Sequence, residues 1–154
     1  MRIIDCIDKN LIFVKMDVKE KSEVLEKIVQ SMALNKIIKH ADIFLKELWQ
    51  RENQGSTGIG DGIAIPHARL EGLEKIIMAF ASLKKGIDFG AEDKKPVKLI
   101  FLLGTPPEMA SDYLKVLGKL SHLLKEKDIQ KKLLKAGSPS EVIEIIEETE
   151  RNLE

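Results

Sequence analysis

KLIFLLG, residues 98–104, is a nearly continuous apolar run that stops on a glycine. A run of this kind has no side to offer water, so it belongs to a strand buried on both faces of a sheet. KIIMAFASL at 75–83 is a longer strand candidate and Ile63-Ala64-Ile65 a short one, and with 98–104 they form the expected centre of that sheet. Between the two long runs, KKGIDFGAEDKKP carries Gly, Asp and Pro and reads as turns, with a short strand expected at Ile87 to Phe89.

Around these strands the apolar spacing changes from continuous to helical. Val24, Leu25, Ile28, Val29 and Met32 form a stripe on a first helix, expected to start at Asp17 with Glu20 reaching back as its capping-box partner. HADIFLKELWQREN at 40–53 places Ile43, Phe44 and Leu48 at helical offsets and runs into Gly55, so Arg51 and Glu52 fall at a helix end. MASDYLKVLGKLSHLLKEK is a third long helix, with Tyr113, Leu117, Leu120 and Leu124 on one face despite Gly118. Ser138-Pro139-Ser140-Glu141 reads as a capping box that opens a final helix through Val142, Ile145 and Ile146. No repeat or low-complexity linker divides the 154 residues, which suit one α/β domain with a sizeable core.

The chain's totals remove several function classes. The 25 Lys+Arg balance 25 Asp+Glu, so no charge excess points to nucleic acid or a membrane surface. The opening MRIIDCIDKNLIF does not read as a signal peptide, and no stretch approaches the ~20 apolar residues of a membrane span. Cys6 is the single cysteine, which excludes an internal disulfide, suits a reducing cytosol and reads as a small hydrophobe near the first strand. A soluble cytoplasmic protein is expected.

One segment is unlike the rest. GSTGIGDGIAIPHARL, residues 55–70, sets four glycines and two hydroxyl residues ahead of Pro66-His67. Glycines let backbone amides approach a ligand closely, successive amides form an anion nest, and Ser56, Thr57 and Gly58 are the expected phosphate-binding loop. Pro66 fixes the backbone ahead of the imidazole and holds Ile65 extended. A fixed imidazole beside hydroxyls, amides and Arg51, whose planar fork grips phosphate oxygens, suits a phosphoryl group carried on histidine. The same spacing also fits a plain loop ending on a half-buried structural histidine. GxxxxGK[ST] is absent and the glycines lack GxGxxG order, which speaks against nucleotide binding.

Glu52, then six residues, then IGDGIAIPHA closely resembles the signature of type-2 EIIA domains of the phosphoenolpyruvate-dependent phosphotransferase system, the mannitol/fructose class that includes nitrogen-regulatory EIIA proteins. GIDFGAEDKKPVKLIFLL and KDIQKKLLKAGSPSEVIEIIEETE are similar to further family segments, so the resemblance covers nearly the whole chain. It implies a mixed β-sheet with helices on both sides; a single domain over 1–154 is expected, with no EIIB, EIIC or DNA-binding segment read in it. It also implies a phosphoprotein: His67 accepts phosphate from an HPr-type carrier and passes it to an EIIB domain for sugar uptake, with Arg51 supporting the phosphohistidine. No cofactor or metal is implied. An exposed apolar rim around His67 is expected where these partners dock.

Two positions depart from the family pattern. Many members have a second histidine at the start of the third long helix, where this chain has Tyr113 in SDYLKVL. A phenol can donate a hydrogen bond but cannot become cationic, and Tyr113 also fits as a filler of its apolar face. Arg69 follows Ala68 where glycine is common, and suits either an acidic partner or solvent. His40 and His122 have no second ligand at metal spacing. The alternative to a sugar phosphocarrier is a regulatory, nitrogen-type EIIA whose phosphorylation governs binding to target proteins, and STGIGDGIAIPH resembles that branch in particular.

Overall fold

The computed structural model describes residues 1–153. Six strands form one mixed sheet: β1 (Ile7–Met16), β2 (Gly58–Gly60), β3 (Ile63–Ala64), β4 (His67–Arg69), β5 (Ile77–Ile87) and β6 (Val97–Thr105). Their order is β1-β5-β6-β3-β2, with β4 also pairing with β6. The β5–β6 pair is antiparallel, whereas β1 runs parallel to β5, and β3 and β4 run parallel to β6. As its apolar run requires, β6 is buried from Leu99 to Thr105.

Five helices cover the sheet: α1 (Lys21–Leu34), α2 (Ala41–Asn53), α3 (Ala110–Leu123), α4 (Lys127–Lys135) and α5 (Pro139–Leu153). Two apolar clusters separate along the strand alternation. Val24, Leu25, Ile28 and Met32 of α1 and Phe44 and Leu48 of α2 pack on Ala79, Ala81, Ile100 and Leu102. Val116 and Leu120 of α3, Leu133 of α4 and Ile146 of α5 pack on Met78, Phe80, Phe101 and Leu103. Helices therefore lie on both sides of the sheet, and Cys6 is a buried hydrophobe of the second cluster whose thiol burial pushes up to about 11.

Several local expectations are corrected. Helix α1 starts at Lys21 rather than after Asp17, because Val18 is drawn into the core first; Glu23 then accepts from the Lys19 N–H at 3.2 Å. Ile43 lies outside the buried face of α2 and is 46% exposed, and that face is completed by Glu52. Ile87 ends β5 instead of starting a separate strand. Half of the capping box at α5 is formed: Ser138 Oγ accepts from the Glu141 N–H, while the Glu141 carboxylate turns to the Gly137 N–H. KDIQKKLLK forms α4, a helix for which the apolar spacing alone gave no separate expectation.

Candidate phosphoryl-transfer site

The loop from α2 to β4 is shaped at its first turn. Gly60, Asp61 and Gly62 all take positive φ (93°, 56° and 82°), a turn that glycine allows without a side-chain clash. The Asp61 N–H is held by Asp93 Oδ2 at 2.9 Å. The turn pairs β2 with β3, and Ile65 N–H then bonds Thr57 O at 3.0 Å, so the chain reaches Pro66 in a fixed path.

At the start of β4, His67 lies opposite Leu103 of β6, so its side chain is on the α3 side of the sheet. It is half-buried. Its Nδ1 lies 2.9 Å from the Ile65 carbonyl oxygen. A carbonyl can only accept, so the proton sits on Nδ1 and the neutral ring carries its lone pair on Nε2. Burial holds the imidazole below its ordinary pKa; the Ile65 hydrogen bond opposes this, the positive charge of Arg51 adds to it, and Glu52 acts the other way. The ring of Tyr113, from the first turn of α3, is 5.5 Å away centroid to centroid and tilted by 42°.

Tyr113 packs on this ring from α3, whereas Arg51, from α2, acts on it through its charge. The Tyr113 hydroxyl is buried without a hydrogen-bond partner, and its pKa is pushed up to about 12 by burial, against the charges of Arg51 and Arg69. Arg51, on the last turn of α2, donates Nη1 to Gly55 O at 2.6 Å. Its charge acts on both His67 and Tyr113.

The expected phosphate loop is different. Ser56 Oγ donates to Phe89 O at 2.6 Å and accepts from the Gly58 N–H at 3.0 Å. Thr57 gives its backbone N–H and its hydroxyl to the buried Glu52 carboxylate. The Ser56 hydroxyl, both donors of Thr57 and the Gly58 amide are therefore engaged within the protein, where they brace the loop. His40 and His122 are exposed, the first immediately before α2 and the second on the last turn of α3. Among the described residues no group of three His, Cys, Asp or Glu is placed to hold a metal ion, and no helix is long and apolar enough to cross a membrane.

Sequence reasoning did not single out Lys21. Its Nζ bonds Glu52 Oε2 at 2.5 Å and Phe89 O at 3.4 Å, and lies 4.4 Å from the centre of the Phe89 ring. In the sequence it is one lysine among many in the Lys/Glu runs, and only the fold brings it to the loop.

A mixed sheet with helices on both faces, and a neutral imidazole at a strand start beside a phenol and in the field of an arginine, define a phosphocarrier-like α/β domain. Residues 5–149 match the family described as phosphoenolpyruvate-dependent sugar phosphotransferase system, EIIA 2, and the chain belongs to that family. It is 38% identical over 133 residues to a nitrogen regulatory protein of Bradyrhizobium diazoefficiens, a match covering 86% of each chain. It is 32% identical over 151 residues to the fructose-specific EIIABC component of Bacillus subtilis; that match covers 98% of this chain but 24% of the relative's length. The crystal structure of nitrogen regulatory protein IIA-Ntr from Neisseria meningitidis superposes with a TM-score of 0.86 at 34% identity, covering 94% of this chain and 98% of that one.

Proposed function

We propose that the protein is a phosphocarrier that accepts a phosphoryl group on Nε2 of His67 and hands it to a partner protein. The observation that carries this reading is the Nδ1–H···O=C bond to Ile65, which leaves Nε2 as the nucleophilic nitrogen beside Tyr113 and within the field of Arg51. In the transfer the Nε2 lone pair attacks phosphorus as the P–N bond of an incoming phosphohistidine breaks, and the donor imidazole leaves with that bond's electron pair. The proton on Nδ1 stays in place, and Ile65 O stabilises the positive ring that forms. Arg51 screens the phosphoryl oxygens, and Tyr113 offers them the hydroxyl that has no partner in the free protein.

The partners fit the family. An HPr-type carrier is the proposed donor and an EIIB domain the proposed acceptor, as the joining of A, B and C components in the Bacillus relative's name supports. Exposed Ile59 and Leu114, next in sequence to Gly58 and Tyr113, suit an apolar docking rim. The similarity to nitrogen regulatory proteins supports a second reading, in which the phosphorylated and free forms bind different target proteins and little phosphate reaches sugar. Cytoplasmic residence follows from either reading, since both donor and acceptor act there.

Incubation with phosphoenolpyruvate, enzyme I and an HPr-type carrier, followed by intact-mass measurement, tests the first step. One acid-labile phosphoryl group, absent from His67→Ala, is the expected result. No gain in mass with carriers proven active would overturn the phosphocarrier reading. Adding a fructose-class EIIB then separates the two roles, because loss of the label to EIIB supports transport and its retention supports regulation.

A further inference from the structure

We propose that Lys21 is a positioning residue of the phosphoryl site: by pairing with the buried Glu52 it locks the end of α2 to the loop before His67 and cancels a carboxylate charge behind the imidazole. The inference rests on the phosphocarrier reading above and adds a residue to it.

The contacts that carry it converge on one point. Glu52 has a side chain 1% exposed and accepts from Lys21 Nζ, the Thr57 N–H and the Thr57 hydroxyl. Lys21 Nζ also donates to Phe89 O, the acceptor that takes the Ser56 hydroxyl. The ammonium lies against the Phe89 ring at 4.4 Å and 5.7 Å from the Trp49 ring centre, so aromatic surface flanks it while part of the side chain stays exposed. Lys21 begins α1, Glu52 lies in the last turn of α2, and residues 56–57 and 89 belong to two different loops. One cation thus gathers four segments of chain at the loop that leads, through the Ile65 N–H bond to Thr57 O, to His67.

The charge matters as much as the tie. A buried carboxylate without its cation is costly, and here it would also act on the imidazole. The groups that face His67 are Arg51 and Glu52 from α2, Tyr113 from α3 and the Ile65 carbonyl from its own strand. Of these, Glu52 is the anion, and it favours the protonated ring. Protonated at Nε2, His67 has no lone pair for phosphorus, and an uncancelled negative charge repels the incoming phosphoryl oxygens. Both consequences slow acceptance. With Lys21 in place the net charge of the layer behind the ring comes from Arg51, which favours both the neutral nucleophile and the anionic group it receives.

The discriminating experiment compares Lys21→Met, Glu52→Gln and the charge-balanced pair Lys21→Met/Glu52→Gln. In each, the His67 ring protons are titrated by NMR and the rate of phosphoryl acceptance is measured. Lys21→Met is expected to raise the His67 pKa and slow acceptance at neutral pH by about tenfold, the effect of one unbalanced charge near a reacting group. The double variant should return the His67 titration close to that of the original protein, a recovery that a purely structural role for Lys21 would not give. Should Lys21→Met fail to fold, Glu52→Gln carries the test, and its His67 titration is expected to move down. An unchanged His67 titration in folded Lys21→Met, or in Glu52→Gln, would overturn the proposal. So would a double variant that remains displaced like the single one. The titration needs no phosphoryl donor, so the failure of the phosphocarrier reading would appear separately, as an unlabelled original protein.

Discussion

Tyr113 is the residue at which this chain's chemistry departs furthest from a paired-imidazole site. Its hydroxyl is buried without a partner, and a buried hydroxyl left in that state costs about 1–3 kcal/mol. A phosphoryl oxygen on His67 Nε2 would relieve that cost, so the hydroxyl favours the phosphorylated form over the free one. Tyr113→Phe should therefore leave the free protein as stable or more stable by about 1 kcal/mol, while lowering the rate of phosphoryl acceptance by about tenfold. Denaturant unfolding and rapid-quench labelling read the two effects, and a variant that is less stable but equally reactive would show that the hydroxyl serves packing alone. Because the phenol stays protonated up to about pH 12, the only titration expected to limit acceptance near neutral pH is that of His67. Burial places that titration below the ordinary 6.5. Neutral imidazole is the reactive form, so rate against pH should be flat through neutrality and fall only on the acid side of 6.5; Tyr113→His should add a second titration to the profile. The sign for stability is the same. The unfolded chain takes up a proton at His67 before the folded one does, so the folded state loses stability as pH falls through the ordinary imidazole range.

At the scale of elements, the loop before β4 works as a brace, and its tight packing explains why Gly58 has no room for a side chain. A Cβ on Gly58 would come within 2.8 Å of Ala91 Cβ and 3.3 Å of Ala91 Cα, so the substitution has to push backbone. Gly58→Ala should destabilise the protein by about 1–3 kcal/mol and slow phosphoryl acceptance with it, because the displaced strand carries Thr57 away from Glu52. Gly55, which has open space around its Cβ position, is the control for crowding, although its φ of 149° limits what can replace it. Thermal unfolding beside the labelling assay checks both. This contrast also marks what the sequence can convey. The continuous apolar runs of β5 and β6 and the stripe of α1 are patterns within a single element, and each is legible from residue order alone. The histidine is legible too, since Pro66-His67 after a glycine loop is a local signal. Which donors of that loop stay free depends on Phe89 and Glu52, held 33 and 5 residues from their partners Ser56 and Thr57, and no local pattern reports it. Lys21 is hidden for the same reason, since its Glu52 contact spans 31 residues.

For the molecule as a whole, the site and the closure of the chain are carried by separate parts of the sheet. Tyr113 and His67 meet where α3 begins and β4 starts, whereas the two ends of the chain meet where α5 covers the first residues. There Glu150, buried near the end of α5, accepts from the Ile3 N–H at 2.6 Å and the Ile4 N–H at 3.2 Å. These amides have no strand partner in β1, which starts at Ile7, so the carboxylate replaces the sheet as their acceptor. Removing it strands two backbone donors, one of them on a residue 1% exposed. Glu150→Ala should destabilise the fold by about 2–3 kcal/mol, and Glu150→Gln, which keeps one acceptor oxygen, by about half as much. Because the apolar face shared by α3, α4 and α5 is one cluster, the loss should appear in a single cooperative unfolding transition and not in an early release of the first residues. At temperatures where the variant is still folded, its labelling by an HPr-type carrier should match that of the original protein. A labelling defect of the size expected for Tyr113→Phe would show instead that strain at the chain ends reaches α3, and that the two functions of the second layer, closing the fold and presenting the phenol, are coupled.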